Sequence, residues 1–435
     1  MKKLAVISSL AVIVAGGAAA VPYYVGNKAE RYITEPQTYE QGQVALRHRG
    51  ESYERGYLSS RAQTRLTWQL EDEIIEFAAT HEIDHAFTPR IVSRFRVLPG
   101  GGEVQQALHE IFGDEPLLMA DTRLKAGRQQ TEFHMPETRK RLDGGELHLA
   151  GLRGAFQVEG ARLAGHVDVQ PISFNGAVAS AHVGAQRLEL QASDRNDQLG
   201  PGSASYVMKS AQLRDADGES VALRDLRLRT SQTAVGTSID SEVVIELAAL
   251  ETSAGSLENL SLRFTASNLH RELMELLLAL DEQDEAERNL SPEVWQPPLR
   301  RFLENNPKAR LDIVLGPETD AKASLGWELM YRQPDGMPLD LENPFELFAG
   351  LDTTATLAFT DEFIEELAVL LQEYWGSPED VIAALSLLES NGFLVRNGQG
   401  YRVKLGWRQG DILVNDTPRP ELAMMLGMLL ASSMQ

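Results

Sequence analysis

Apolar residues fall at every second position over most of the first two thirds of the chain. Between Gln63 and Phe95, the side chains of Phe77, Ala79, His81, Ile83 and His85 share one side of an extended backbone. From Gly144 to Ala266 the same period returns in Glu146–Leu149, Phe156–Val158, His166–Val169, Arg187–Leu190, Leu223–Arg229, Ser238–Leu247 and Leu257–Ala266. Clusters rich in Gly, Pro, Asn and Asp separate these runs, as at Asp194–Gly202 and Asp215–Gly218. Period-two alternation with one apolar face predicts antiparallel sheet, half buried, with Arg, Glu, Asp and Gln on the wet side.

The period changes at Leu269. Leu269, Leu273, Leu276 or Leu277, and Leu280 recur at helical spacing, and a second helix is predicted from Pro298 to Asn305. Strands return at Arg310–Leu315, Leu325–Tyr331 and Thr354–Thr360. A helix over Asp361–Trp375 places Phe363, Leu367, Leu370 and Tyr374 on one face. Another over Pro378–Ser390 has Ser377 as N-cap, proline at its first position and Gly392 closing it. Phe393–Arg396 and Tyr401–Trp407 are joined by Asn397-Gly398, a hairpin signal, and Ile412–Val414 adds a third pairing segment. A final helix, apolar all round and rich in methionine, is predicted over Leu422–Ala431. At ten residues it is too short to cross a bilayer.

The expected fold is therefore α+β: a large, mostly antiparallel, curved β-sheet domain with a smaller helix-plus-hairpin C-terminal part. The expected divisions are a signal-anchor segment over 1–25, a β-rich domain over 26–300 and an α+β domain over 301–435.

The N-terminus bears on location. Met1-Lys2-Lys3 precedes an uncharged run from Leu4 to Val21, which as a helix would span roughly 27 Å against a bilayer core of about 30 Å. Lys2 and Lys3 would stay in the cytoplasm and the rest would cross. Two readings compete: a cleaved signal peptide with Ala18-Ala19-Ala20 as its small-residue site, and an uncleaved anchor with Tyr23 and Tyr24 at the interface. The length of the run and the tyrosine pair favour the anchor. In a bacterium the bulk would then lie in the periplasm, attached to the inner membrane.

The 435-residue chain has no cysteine and a net charge of −22. Without thiols there is no disulfide frame, thiolate metal site or cysteine nucleophile. Such acidity argues against binding nucleic acid, which needs a positive face.

Three motifs invite chemical readings. His81-Glu82-Ile83-Asp84-His85 matches H-E-x-x-H. On a helix the two histidines would hold zinc and the glutamate would act on the metal-bound water, giving a hydrolase. Here it lies in period-two text. A strand puts His81, Ile83 and His85 on one face and Glu82 on the other, and no third ligand is indicated. The strand reading is favoured, and the zinc hydrolase is the alternative. Val381–Tyr401 resembles the end of a winged helix, but Gly376–Thr417 sums to −1, too little positive charge for a DNA wing. Tyr53-Glu54-Arg55-Gly56, leading into Ser60-Arg61-Ala62, reads as a turn or bulge feeding a strand. Neither Ser59 nor Ser60 has a histidine partner in the local pattern, and Gly100-Gly101-Gly102 reads as a flexible turn.

The lysine-led apolar segment, the Tyr53-Glu54-Arg55-Gly56 phrase, the histidine-bearing strand His81–Phe87 and the text from Asn391 to Asn415 together resemble the YdgA-like family of bacterial envelope proteins, which carry a domain of unknown function. Two positions depart from its pattern: Ala86-Phe87 stands where such proteins continue into Gly-Pro, and Asn415-Asp416 where Asn-Gly is usual. The resemblance implies an inner-membrane-tethered periplasmic protein and brings no catalytic residues, metal ligands or cofactor. The expected work is non-catalytic: scaffolding with an envelope-protein partner, or handling an apolar ligand such as lipid where short helices leave a sheet face open.

Overall fold

The computed structural model describes residues 33–422 except 42–43, 57–58, 71–72, 86–88, 126, 143, 254, 282–290, 318–320, 334–338, 340, 342–346, 348, 371–377, 399 and 409. The expected anchor over 1–25 and the methionine-rich stretch from 423 onward lie outside the described residues. Among those described, no helix is long and apolar enough to cross a membrane. Among the described residues sheet dominates, with a minority of helix, and the sheet does not close. The sequence pattern put a border near residue 300; the chain divides into compact units Met1–Ala222 and Leu223–Gln435.

The first unit opens with β1 (Gln37–Gln41), β2 (Val44–Arg55), β3 (Ser59–Leu70), β4 (Glu73–Asp84) and β5 (Arg90–Val97). After helix α1 (Glu103–Phe112) come β6 (Leu118–Lys125), β7 (Arg128–Met135), β8 (Thr138–Leu142), β9 (Gly145–Leu149) and β10 (Leu152–Glu159). The unit continues through β11 (Arg162–Val169), β12 (Ile172–Gly176), β13 (Ser180–Val183), β14 (Gln186–Ala192) and β15 (Gly202–Arg214). Two antiparallel ladders form. One runs β1-β2-β3-β4-β5-β6-β7-β10-β11-β14-β15, the other β8-β9-β12-β13-β15.

Both ladders end on β15, which pairs with β14 over Gly202–Met208 and with β13 over Ala211–Arg214. The shared strand lets the apolar sides of the two ladders meet. Trp68, Phe77, Phe95, Phe133 and Phe156 from the first pack in one core with Leu147, Leu149 and Ile172 from the second. Packing is close enough to require glycine. A Cβ on Gly154 would lie 2.3 Å from the Phe133 ring, and one on Gly165 would lie 2.1 Å from Phe156. The two rings stack at 5.5 Å. Helix α1 is new relative to the sequence expectation. The glycine triplet read as a turn delivers the chain into it, with Gly102 at the N-cap, and Leu108, Ile111 and Phe112 enter the core. Its buried Gln105 accepts from the Glu76 amide at 2.8 Å and donates to the Glu76 carbonyl at 3.1 Å, tying the helix to β4.

Strand β16 (Ser220–Val235) spans the division at 222/223. The second unit then holds β17 (Ser238–Thr252), β18 (Gly255–His270), α2 (Arg271–Asp281), α3 (Pro292–Glu304), β19 (Lys308–Leu315), β20 (Ala323–Tyr331) and β21 (Leu351–Thr360). It ends with α4 (Asp361–Leu370), α5 (Pro378–Ser390), β22 (Val395–Arg396), β23 (Gly400–Arg408), β24 (Asp411–Val414) and β25 (Thr417–Pro418). The antiparallel order is β17-β18-β19-β20-β21-β23-β24-β25, with β22 also on β23. Helix α3 starts six residues before the expected Pro298, because Pro292 takes the first helical position after Ser291. Pro297 and Pro298 are carried inside it. Gly392 ends α5 at φ +73°, and Gly398 takes the hairpin turn at φ +63° with the Asn397 amide donating to the Gly400 carbonyl at 2.9 Å.

Candidate functional site

The H-E-x-x-H residues sit on and just after β4, and the strand separates them. His81 points into the core and is 3% exposed, while Glu82 faces solvent and accepts from Arg94 at 3.0 Å. His81 lies between two hydroxyls, Thr64 Oγ1 at 2.9 Å from Nε2 and Ser93 Oγ at 2.8 Å from Nδ1. Burial pushes its pKa down to about 4, and the neighbouring His48 adds to the shift. Burial likewise lowers His48, against a raising hydrogen bond with the Glu35 backbone. A neutral imidazole suits this place, giving one N–H and accepting one O–H. Among the described residues, no group of three or more His, Cys, Asp or Glu side chains is gathered as a metal site.

His85, past the end of β4, lies with Nε2 3.0 Å from Ser60 Oγ. The local sequence gave Ser60 no histidine partner; the register supplies one, because Ser60 opposes Ile83 across β3 and β4. A hydroxyl beside an imidazole is half of a nucleophile–base pair. Ser60 is only 2% exposed, so the pair ties the ends of two strands inside the structure. The Tyr53-Glu54-Arg55-Gly56 phrase closes the β2–β3 turn as expected. The Gly56 amide donates to the Ser59 carbonyl at 2.9 Å, and a Cβ on Gly56 would stand 2.4 Å from that oxygen.

In the winged-helix look-alike the cations face acids: Arg396 on Asp361 at 2.9 Å, Lys404 on Asp416 at 2.6 Å and Arg408 on Asp352 at 3.5 Å. A cavity of about 330 Å³ lies open at the ends of β10, β11 and β14, lined by Glu159, Arg162, Gln191 and Ser203 among others. Its size is at the low end for ligand pockets, and its lining mixes these polar groups with Leu163, Ala164, Ala192 and Pro201.

The feature with binding character lies in the second unit. Register places Ile245, Leu262, Ile313, Leu325, Leu357 and Val403 side by side across β17, β18, β19, β20, β21 and β23. The adjacent row on the same face is Val243, Phe264, Leu311, Trp327, Ala355 and Leu405. None of these twelve side chains is buried; ten are half-buried, while Leu357 is 39% and Leu405 46% exposed. The reverse face carries charge, as in Glu242–Arg263 at 3.3 Å and Arg310–Asp312 at 2.7 Å.

Among the described residues, helices cover only the two margins of this apolar strip. Near the Tyr331 end, Leu299 and Leu303 of α3 pack on Tyr331. At the other end, Ile364 of α4 and Val381 and Leu385 of α5 pack with Phe359 and Tyr401. The result is a hydrocarbon floor with helical sides. The sequence showed each strand's apolar alternation but not that six strands would bring their apolar positions into line.

No curated protein and no solved structure matches the chain. Residues 1–421 match the family model described as a bacterial protein of unknown function, DUF945, and the chain belongs to that family.

Proposed function

We propose that this DUF945 member is of the YdgA-like type, a non-catalytic envelope protein tethered to the inner membrane by residues 4–21, whose second unit handles an apolar ligand such as lipid. The carrying observation is the two-row apolar strip, charge-free on its floor and half-open across six strands. A soluble protein seldom leaves a contiguous apolar patch of several hundred Å² uncovered without a use for it. An anchor would hold the strip beside a source of lipid. The net charge of −22 disfavours flat docking on anionic headgroups, so membrane contact would depend on the anchor and on apolar surface.

Site-specific photocrosslinking in cells tests the reading. A photoreactive residue at Leu325 is expected to capture acyl lipid, and one at Phe133, in the filled core of the first unit, is not. If Leu325 yields no lipid adduct and the purified full chain carries none by mass spectrometry, the reading falls.

A further inference from the structure

The strip also specifies the shape of its occupant. This inference rests on the proposed apolar-ligand reading and sharpens it. Neighbouring strands lie about 4.8 Å apart, so the five intervals between Ile245 and Val403 span roughly 24 Å. Successive rows on one face are about 6.8 Å apart, two residues along a strand. The open floor is thus long across the strands and narrow along them. It is shut at one margin by Tyr331, which is 4% exposed, and at the other by Tyr401, which is 8% exposed.

We infer that the strip binds a single extended acyl chain of about 16–20 carbons, lying perpendicular to the strands. Carbon–carbon bonds of about 1.5 Å in the staggered, extended form advance roughly 1.25 Å each, so about 19 bonds fill 24 Å. The chain enters beside Leu357 and Leu405, the two most open floor positions, which sit diagonally on β21 and β23. Its methyl end reaches Ile245 on β17. The floor presents no charged side chain, so the polar head stays in solvent above Leu357 and Leu405, short of the buried Val414 on β24.

A second copy of this chain fits the strip less well. The floor, six strands long and two rows wide, covers roughly 24 by 14 Å, on the order of 350 Å² in plan. A standard protein interface needs about 800 Å² from each partner. The strip is too narrow and too shielded for that, and wide enough for one hydrocarbon chain.

The test uses the full chain exchanged into amphipol and stripped of lipid. Saturated fatty acids of 8–18 carbons compete with a fluorescent 16-carbon probe. Affinity is expected to climb with length and level off at 16–18 carbons. Each fully buried methylene is worth about fourfold. The six that decanoate lacks weaken it relative to palmitate by about 60-fold at half burial and by up to about 4,000-fold at full burial. Ile245→Ser is expected to weaken palmitate at least fivefold and leave decanoate unchanged, while Leu357→Ser weakens both. Arg263→Ser, on the reverse face, changes neither. Equal affinity for decanoate and palmitate, or equal loss of both in Ile245→Ser, overturns the transverse chain while leaving apolar binding in place. If the wild-type chain binds none of the acids, the transverse chain and the apolar-ligand reading fall together. The wild-type length profile needs no variant, so a folding defect cannot decide the outcome.

Discussion

Two rows of side chains, each crossing the strands of its own unit, have the same alternating origin and opposite fates. In the first unit Ala62, His81, Ser93, Ala120, Phe133, Gly154 and Val167 stand side by side from β3 to β11, and every one is buried. In the second, Ile245 to Val403 make an equally continuous and more apolar row, and not one is buried. The buried row even includes a histidine and a serine, so hydrophobicity does not decide coverage. Coverage follows from topology. Strand β15 brings a second ladder onto the first, and α1 contacts β4, β5 and β8. The second unit lacks a second ladder among its described residues, and its helices take only the margins. A filled face contributes stability; an open one is available to a ligand.

The largest expected effect breaks the filled side. Phe133→Ala removes a stacked ring at 2% exposure, beneath which Gly154 leaves no room for collapse. A loss of about 3–5 kcal/mol is expected for the first unit. Hydrogen exchange of β6–β11 during urea unfolding measures it, and the amides of β19–β21 should keep their protection.

Acid should weaken the first unit through His81. Its folded pKa of about 4 lies below the ordinary 6.5, so the unfolded chain binds the proton more readily. The contribution is fully present above pH 6.5 and is lost as the pH falls toward 4. Between pH 7.5 and 4.5 the loss is roughly 2–3 kcal/mol. His81→Gln keeps a donor and an acceptor between Thr64 and Ser93 and removes this titration. Its urea midpoint should therefore fall less than that of the wild type over the same pH interval. An unchanged pH dependence would show that other groups carry it.

Glycines separate the two faces on a finer scale. Gly165→Ala drives a Cβ into the Phe156 ring and is expected to cost about 1–3 kcal/mol. Gly326→Ala, on the charged face of β20, meets only Asp312 Oδ1 at 3.6 Å. Relief of glycine's backbone freedom there should leave stability unchanged or raise it by up to about 1 kcal/mol. Thermal melts of the two variants compare them directly.

Much of this architecture is legible in the residues. The period-two runs mark their strands, Leu269–Leu280 marks α2 within two residues, and Asn397-Gly398 marks the last hairpin. Helix α1 was readable too, since Val104, Leu108 and Ile111 keep helical spacing between glycines, but it is short and follows a glycine triplet that looks like a turn. What local pattern does not contain is register between distant strands. The Ser60–His85 contact spans 25 residues, and the apolar strip needs six strands in phase. Nor does alternation say whether an apolar face will be covered. Alternation of largely apolar with polar positions reads the same in β10, where Leu152 is 3% exposed, and in β23, where Leu405 is 46% exposed.

A small expected loss is the one that most sharpens the contrast. Leu325 lies mid-strip, half-buried between Ile313 and Leu357. If water or a mobile ligand already touches it, truncation leaves no sealed void, and Leu325→Ala should cost less than about 1 kcal/mol, well under the 2–5 kcal/mol of a core leucine. Leu149, at 0% exposure, supplies the matched core position, and Leu149→Ala should show the full loss. Urea midpoints of the two variants, each with and without palmitate, separate the roles. Palmitate is expected to raise the midpoint of the wild type and of Leu149→Ala, because a ligand that binds only the folded chain stabilises it by mass action. It should raise that of Leu325→Ala less. Equal losses at the two leucines would mean that the strip is structural core in the same sense as the first unit, and its half-exposure would then have no binding role.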